Sequence, residues 1–315
     1  MQQVESVIPA VLTRRHDMTL RELANSYMAC YQGRDGSIAQ RVRYFVDLLG
    51  DKLASDIDSD DLQDALDALM RRGVLHNRGG QTKGGELVPT GKPLAPATIN
   101  RYRATIMGDL TWGRKKRLMP KGWQNPTRDT ERMPEDNART RYLSEAEYDR
   151  LLKAARVSYW PKLTVLIRLG VETGARKGTL LGLTWRDIDL DAGRAYCART
   201  KNGEAFTLIL QPATVAELRR LKGKSDLDDL VFCGRRPDRP MNFTKAWHNA
   251  LENAGITGAC FHTLRHSHAS WLAKRGAPLL AIADSLGHKS LAMTKRYSHM
   301  CVDSRVEMLS RVFGG

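Results

Sequence analysis

The spacing of apolar residues constrains the fold of this 315-residue chain most strongly. Apolar side chains recur at helical spacing along most of the sequence, and Thr19 with Glu22 and Ser144 with Glu147 are typical capping boxes at helix starts. Residues 187–210 instead alternate as strands do, with tight-turn residues at 191–193 and 202–203. The pattern predicts a mainly α protein with a small antiparallel β-sheet.

Two domains are expected from the length and from a polar stretch that contains Pro126 and Pro134. We predict an N-terminal tail over 1–16, a helical domain over 17–121, a linker over 122–140, a second α+β domain over 141–300 and a C-terminal tail over 301–315. Within the first domain, helices are predicted over 38–49, 59–72 and 97–117. Residues 73–96 are rich in Gly and Pro and predict an exposed loop or hairpin.

The charge is strongly positive, at +15 with a pI near 9.8. Residues 1–140 hold 22 basic and 18 acidic residues, whereas residues 141–315 hold 28 and 17, so most of the excess lies in the second part. Nucleic acid is the commonest partner of such a chain, although a basic ribosomal or membrane-surface protein would fit the charge alone.

The predicted helix over 97–117 carries charges of almost one sign, and Asp109 is its one acidic residue. Solvated helix faces usually mix charge signs, so this run predicts a DNA-facing surface, with a merely soluble basic face as the alternative. The candidate DNA-binding residues are Arg101, Arg103, Arg114, Lys115, Lys116 and Arg117.

Several other classes of protein fit poorly. Five widely spaced cysteines and the absence of a signal-peptide pattern indicate reduced thiols in a cytoplasmic protein, and no apolar stretch is long enough to cross a membrane. The common nucleotide, hydrolase and metalloprotease motifs are missing. Cys260, His262, His266 and His268 make a zinc site conceivable, but Arg265 would place a cation inside it.

Residues that suit an anion are spread over the second domain. His262 and Arg265 are three positions apart, so one helical face presents both, and no nearby carboxylate would neutralise them. An external anion such as a phosphate would fit the hydrogen-bond donors of His262 and Arg265 better than any residue near them in the chain. Further candidates follow the predicted elements: Arg176 after a helix end, Lys201 in the strand turn, His288 at the turn before a last long helix, and Tyr297 nine residues later.

Taken together, these residues resemble the tyrosine recombinase, or phage integrase, family. The matching motifs are T-G-A-R at 173–176, Lys201 in its hairpin, H-T-L-R-H at 262–266, L-G-H at 286–288 and the segment around Tyr297, in the family's order. The resemblance covers residues 142–300 closely and 17–121 more loosely, as the helical core-binding domain.

The resemblance implies a site-specific recombinase that breaks and rejoins DNA through a 3′-phosphotyrosyl link. Tyr297 would be the nucleophile and His262 its candidate base. Arg176 and Arg265 would hold the phosphate, His288 would donate a further hydrogen bond, and Lys201 would protonate the leaving 5′-oxygen. His266, His268 and His299 are expected to be structural, or neighbours of the phosphate at best.

The resemblance also implies partners and limits. The expected partner is double-stranded DNA with specific recombination sites, on which the protein would form a homotetramer across paired sites. Accessory DNA-bending or directionality proteins are also expected, whereas a metal or a nucleotide cofactor is not. A phage or mobile-element origin fits. The family usually has an acidic residue three positions after the first Arg, whereas this chain has Thr179. A type IB topoisomerase-like enzyme, a non-catalytic DNA-binding protein on the same fold and a basic structural protein remain alternatives.

Overall fold

A computed structural model gives the structure of the protein and describes residues 18–33, 35–78, 85–135, 141–197, 206–288, 290–301, 310 and 312–314. The chain divides into two compact units, residues 1–136 and 137–315. Both are mainly helical with small antiparallel sheets, as predicted. Of the helices that the structure describes, none combines the length and the apolar character needed to cross a membrane.

The first unit is a helical bundle with one hairpin. Its helices and strands are α1 (Leu20–Ala29), α2 (Ile38–Leu49), α3 (Ser59–Arg72), β1 (Leu75–Arg78), β2 (Glu86–Pro89) and α4 (Pro96–Lys115). Thr19 and Glu22 form the predicted capping box, and the segment predicted as a loop or hairpin contributes the antiparallel β1–β2 pair. The core is formed by apolar residues of all four helices, among them Leu23, Phe45, Leu66 and Ile106.

The first part of the predicted linker is not a linker. Residues 122–135 are hydrogen-bonded onto the helical unit through polar side chains. Trp123 Nε1 donates to the Ser55 carbonyl (3.1 Å), and Asn125 Nδ2 donates to the Met107 carbonyl (3.0 Å). Asn100 and Met133 exchange a further pair of bonds. The polar side chains that suggest a linker therefore form hydrogen bonds within the first unit and hold this segment against its helices.

The second unit contains seven described α-helices and a three-stranded sheet. Its elements are α5 (Glu145–Arg156), α6 (Leu163–Thr173), α7 (Lys177–Leu181), β3 (Ile188–Asp189), β4 (Arg194–Cys197), β5 (Phe206–Ile209), α8 (Pro212–Lys222), α9 (Thr244–Asn253), α10 (Phe261–Lys274) and α11 (Leu279–Leu286). The strands pair antiparallel in the order β3–β4–β5, and Ser144 with Glu147 caps α5 as predicted.

Helix α10 lies at the centre of this unit. Leu264, Ala269 and Ala273 are fully buried, and the helix packs against α6, α11 and the segment 295–301. Ser267 Oγ accepts from the Leu143 amide (2.8 Å), while Trp271 Nε1 donates to the Leu143 carbonyl (2.9 Å). The position of α10 is therefore fixed from several sides, and its polar residues are held on a rigid element.

The last long helix, predicted to follow the turn at His288, is absent from the described residues. Two short 3₁₀ helices, Leu291–Met293 and Lys295–Cys301, occupy this region. The Tyr297 amide donates to the Thr294 carbonyl at 2.9 Å, an i→i+3 bond. Thr294 is fully buried and Tyr297 is only 2% exposed, so side-chain packing holds this tighter winding in place.

Candidate active site and nucleic-acid interface

Tyr297 is buried at the junction of three elements of the second unit. Its ring packs with Ala269 and Ala273 of α10 and with Ile282 and Leu286 of α11. Its hydroxyl lies 2.6 Å from Nδ1 of His266. Burial raises the pKa of Tyr297, while the charges of Arg296 and Arg265 act in the opposite direction. The phenol is therefore neutral at physiological pH and sits in a positive field.

Arg265 is buried and held by two helix ends. Its Nη1 donates to the Gly174 carbonyl at the end of α6 (2.7 Å), and its Nη2 donates to the Leu286 carbonyl at the end of α11 (2.8 Å). Helix C-termini carry unpaired carbonyls and partial negative charge, which suits a cation. A guanidinium has five N–H donors, so these two bonds fix its plane and leave donors for an anion.

Arg176 directly precedes α7 and is close enough to Arg265 to influence it electrostatically. Burial first, and then the charge of Arg176, lowers the pKa of Arg265 to about 10. Burial first, and then the charges of Arg265 and Arg176, lower the pKa of His262. Two like-charged groups held together cost free energy unless an anion lies between them. Arg176, Arg265 and His262 are thus close enough to interact electrostatically.

The glycine of the T-G-A-R motif is required by space and by conformation. Gly174 ends α6 in the left-handed conformation, with φ of 61°. A Cβ here would lie 2.7 Å from Cδ2 of His268 and equally close to Cδ2 of Leu286. Gly174 therefore allows α6, α10 and α11 to meet, and it places the carbonyl that Arg265 binds.

The three histidines near Tyr297 have different surroundings. His262 is exposed at the start of α10 and contacts the edge of the His266 ring, with centroids 4.8 Å apart. His288 Nδ1 lies 2.7 Å from the Thr294 hydroxyl. Burial, followed by the charges of Arg265, Arg176 and Arg296 and by His262, lowers the pKa of His288 to about 4, so its ring is neutral at pH 7.

His268 has the structural position expected of it. It is buried, its Nδ1 donates to the Val171 carbonyl (2.8 Å), and its Nε2 bonds the Ser285 hydroxyl. These bonds connect α10 to α6 and α11. Among the residues that the structure describes, no group of three or more His, Cys, Asp or Glu side chains is arranged to hold a metal ion.

His266 and Arg296 are residues of this site that the sequence does not reveal. The sequence predicts that His266 is structural, or a neighbour of the phosphate at best, yet its ring contacts the Tyr297 hydroxyl. After burial and other nearby groups, the charge of Arg296 helps to lower the pKa of His262, His266 and His288. The available signal for His266 is its i, i+4 spacing from His262, which puts both on one helical face. Arg296 directly precedes Tyr297 in the sequence.

Thr179 lines a cavity of about 260 Å³ together with Asp187 and Cys197. This cavity therefore contains a carboxylate, which belongs to Asp187 and not to residue 179. Asp187 Oδ2 accepts from the Thr184 amide and hydroxyl, each at 2.8 Å. Burial and the Asp187 charge raise the pKa of the Cys197 thiol to about 11. Lys201 follows in the chain at a position outside the described residues.

The basic end of α4 borders a cleft of about 830 Å³ in the first unit. Arg114, Arg117, Lys121 and Arg128 line it beside the Trp123 ring, and none of the described residues that line it carries a carboxylate. Arg114, Lys115, Lys116 and Arg117 are exposed, as is Arg101 further back on α4. Cations at a helix C-terminus also interact favourably with the helix dipole. One or two cations suffice for that interaction, so it does not account for a cluster of this size.

Arg103 requires a correction, because the structure gives it an internal role. Its Nε donates to the Thr130 hydroxyl (2.8 Å), and its Nη2 donates to the carbonyls of Thr127 (2.6 Å) and Thr130 (3.2 Å). The guanidinium thus holds the 126–130 segment against α4. We therefore leave Arg103 out of the candidate DNA-contacting set.

Solved structures share this fold over nearly the whole chain. The Tn1549 transposon integrase, solved in complex with transposon right end DNA, superposes with a TM-score of 0.70 at 16% sequence identity, covering 94% of this chain and 99% of that one. At this level of identity the similarity concerns the fold.

Comparisons of sequence identify the family. The integrase of Salmonella phage P22 is 27% identical over 56% of this chain, which spans about half the length of that protein (49%). The tyrosine recombinase XerA of Saccharolobus solfataricus is 27% identical over 83% of this chain and 80% of its own length. The family model described as the phage integrase family matches residues 141–302, just over half of the sequence. The chain therefore belongs to the phage integrase family.

Proposed function

We propose that this protein is a site-specific DNA recombinase that cleaves and rejoins DNA through a covalent bond between Tyr297 and a 3′-phosphate. One observation carries the proposal: the Tyr297 hydroxyl meets the face of α10 that presents His262 and Arg265, beside Arg176. A phenol, a base and two guanidiniums in one place are the groups that phosphoryl transfer to a tyrosine needs.

The two arginines would bind the nonbridging oxygens of the scissile phosphate. Arg265 is fixed by two carbonyls before any DNA arrives, so little reorganisation is needed when charge develops in the transition state. His288, neutral at pH 7, would donate a hydrogen bond to the same phosphate, oriented by Thr294. Lys201 would protonate the leaving 5′-oxygen. The phosphotyrosine conserves the bond energy, so rejoining requires no external energy source.

Duplex DNA with specific recombination sites is the proposed partner. The exposed cations Arg101, Arg114, Lys115, Lys116 and Arg117 and the cleft beside Trp123 support a phosphate-contacting surface on the first unit. Affinity should then fall steeply as the salt concentration rises.

A homotetramer on two paired sites, helped by accessory DNA-bending or directionality proteins, is part of the same proposal. It rests on family membership and on the exposed apolar side chains Val312 and Phe313 near the C-terminus. Integration or excision of a phage or other mobile element is the biological role that fits such an enzyme.

The decisive experiment traps the covalent intermediate. The protein is incubated with nicked duplex DNA of randomised sequence, and adducts that survive SDS are isolated and sequenced. Wild type should form an adduct through Tyr297, and Tyr297→Phe should bind DNA without forming one. An adduct with Tyr297→Phe would refute the nucleophile. Relaxation of supercoiled DNA without recombination of paired recovered sites would favour a topoisomerase.

A further inference from the structure

His266 contacts the one atom that must lose a proton when Tyr297 attacks. Its Nδ1 lies 2.6 Å from the Tyr297 hydroxyl, a short and direct hydrogen bond. The rings are tilted by 50° with centroids 6.1 Å apart, so the contact is made by the ring nitrogen and the hydroxyl rather than by stacking. His262, the base expected from sequence, contacts His266 instead.

The electrostatic surroundings determine which partner donates. Burial, then His262, Arg296 and Arg265, lower the pKa of His266 to about 4, so the imidazole is neutral at pH 7. A neutral imidazole carries one proton, and with that proton on Nε2 the Nδ1 atom accepts from the phenol. Among the residues that the structure describes, the charged and titratable groups that act on this contact are His262 and Arg265 on α10, and Arg296 with Tyr297 itself on the 295–301 segment.

We propose that His266 is the general base of DNA cleavage, so that Nδ1 takes the Tyr297 proton as the phenolic oxygen attacks phosphorus. This inference rests on the proposed function. The Oη–H bond breaks and its proton moves to Nδ1. The Oη–P bond forms, the P–O5′ bond breaks, and O5′ leaves with the electron pair and takes a proton from the general acid, assigned above to Lys201. Rejoining reverses each transfer.

Bound DNA makes the imidazole a stronger base than it is in the free protein. Two of the three charged causes of its low pKa are the cations Arg296 and Arg265. A phosphodiester placed among these cations offsets their effect and stabilises the imidazolium. The base therefore becomes effective where substrate is present, which is the behaviour that a cleavage enzyme requires.

Two substitutions separate proton transfer from positioning. His266→Asn places an amide near the position of Nδ1, so it preserves a hydrogen bond to Tyr297 but accepts no proton at neutral pH. His266→Ala removes both. His248→Asn is the matched control, because His248 is exposed on α9. Thermal unfolding and DNA binding are measured for every variant, so that loss of folding is recognised.

The assay is single-turnover formation of the SDS-resistant adduct, on a nicked duplex of a sequence recovered from the randomised pool with wild type. We expect His266→Asn and His266→Ala to be slower by a similar factor, about 10²–10⁴. His248→Asn should match wild type, and added imidazole should partly restore His266→Ala. Wild-type rates in His266→Asn would show that the contact only positions Tyr297 and would overturn the proposal.

A second measurement needs no substitution at 266. Difluorotyrosine at position 297 has a more acidic phenol than tyrosine. If His266 is the base, the cleavage rate increases with pH as the imidazole loses its proton. The pH at which this increase occurs is then the same with tyrosine and with difluorotyrosine. If no base acts, the cleavage rate increases as the phenol ionises, so fluorination shifts this increase to lower pH. Such a shift would overturn the inference. If wild type forms no adduct on any DNA, the proposed function fails as well, whereas an active His266→Asn refutes the base alone.

Discussion

The hydroxyl of Tyr297 and Nδ1 of His266 are 2.6 Å apart, in a protein whose sequence suggests His262 as the partner. His262 and His266 are one helical turn apart on α10, and the tyrosine meets the one further along the helix. This places the phenol against a neutral imidazole flanked by Arg265, and it links the chemistry to the packing that holds α10, α11 and the 295–301 segment together.

Arg265 should be required for stability as well as for phosphate binding. Arg265→Ala removes two charge-assisted bonds to carbonyls at helix ends, so we expect the free energy of unfolding to fall by about 3 kcal/mol. Cleavage should fall by about 10²–10³-fold in protein that is still folded. Chemical denaturation and single-turnover adduct formation measure the two effects. Arg186→Ala, at an exposed ion pair with Asp228, is the control and should change neither.

Gly174 and Gly178 make a matched pair four residues apart. Gly174→Ala forces a left-handed alanine into contact with His268 and Leu286, and should lower the free energy of unfolding by on the order of 2–4 kcal/mol. Gly178 lies in α7, where a Cβ would meet no described atom within 4 Å, so Gly178→Ala should stabilise by about 0.5 kcal/mol. Equal unfolding midpoints for the two variants would contradict the role given to Gly174.

Asp109 should make the first unit less stable at alkaline pH. It is 1% exposed, its Oδ1 has no hydrogen-bond partner among the described residues, and burial raises its pKa to about 7. The folded state therefore binds the proton more tightly than the unfolded chain, and the contribution to stability is lost as pH rises from about 4 to about 7. Asp109→Asn should raise the free energy of unfolding at pH 8 by on the order of 2 kcal/mol and flatten its pH dependence. The exposed Asp51→Asn should leave the dependence unchanged; an unchanged dependence in Asp109→Asn would refute the raised pKa.

The exposed cations at the end of α4 should act through salt-dependent DNA binding. Replacing Arg114, Lys115 and Lys116 by Gln should reduce the slope of log K against log salt by about 3, one for each cation that no longer binds a phosphate. Arg103→Gln should leave the slope unchanged but lower the free energy of unfolding by about 2 kcal/mol, because its guanidinium binds Thr127 and Thr130. Fluorescence titrations at several salt concentrations measure the slopes. An unaltered slope in the triple variant would show that this surface does not bind DNA.

Lys201 should matter for the leaving group and not for the nucleophile. Lys201→Ala should slow cleavage of ordinary DNA by about 10²–10⁴-fold. Substrate with sulfur in place of the bridging 5′-oxygen should restore the rate, because a thiolate leaves without a proton. The same substrate should not restore His266→Asn. If sulfur rescues neither variant, Lys201 is not the general acid.

Much of the fold follows from local sequence. The starts of α1 and α5 are set by capping boxes at Thr19 and Ser144, and the three strands by alternation with turn residues, so short-range signals suffice. The winding around Tyr297 does not follow, since seven residues are too few to distinguish a period of 3.0 from 3.6. Burial of Thr294 and Tyr297 against distant helices decides it.

Polar residues are harder to interpret from sequence than apolar ones. From sequence, Asn125 suggests a linker and Arg103 suggests a DNA-facing surface. In the structure both side chains donate hydrogen bonds to carbonyls within the first unit. Arg265 and His262 fit an anion site from sequence because no carboxylate lies near them in the chain. His266 does not stand out, because its partner is 31 positions away and a sequence pattern shows no such pairing.

The burial of Tyr297 has a consequence for fidelity. Tyr297 is only 2% exposed, so we expect its neighbours to shift before a phosphate reaches its hydroxyl. That shift costs free energy at every DNA sequence, and a weak chance encounter does not supply it. Only DNA whose binding offsets the cost is cut at a useful rate. Accuracy would then be enforced before any bond breaks, by the work of uncovering the nucleophile.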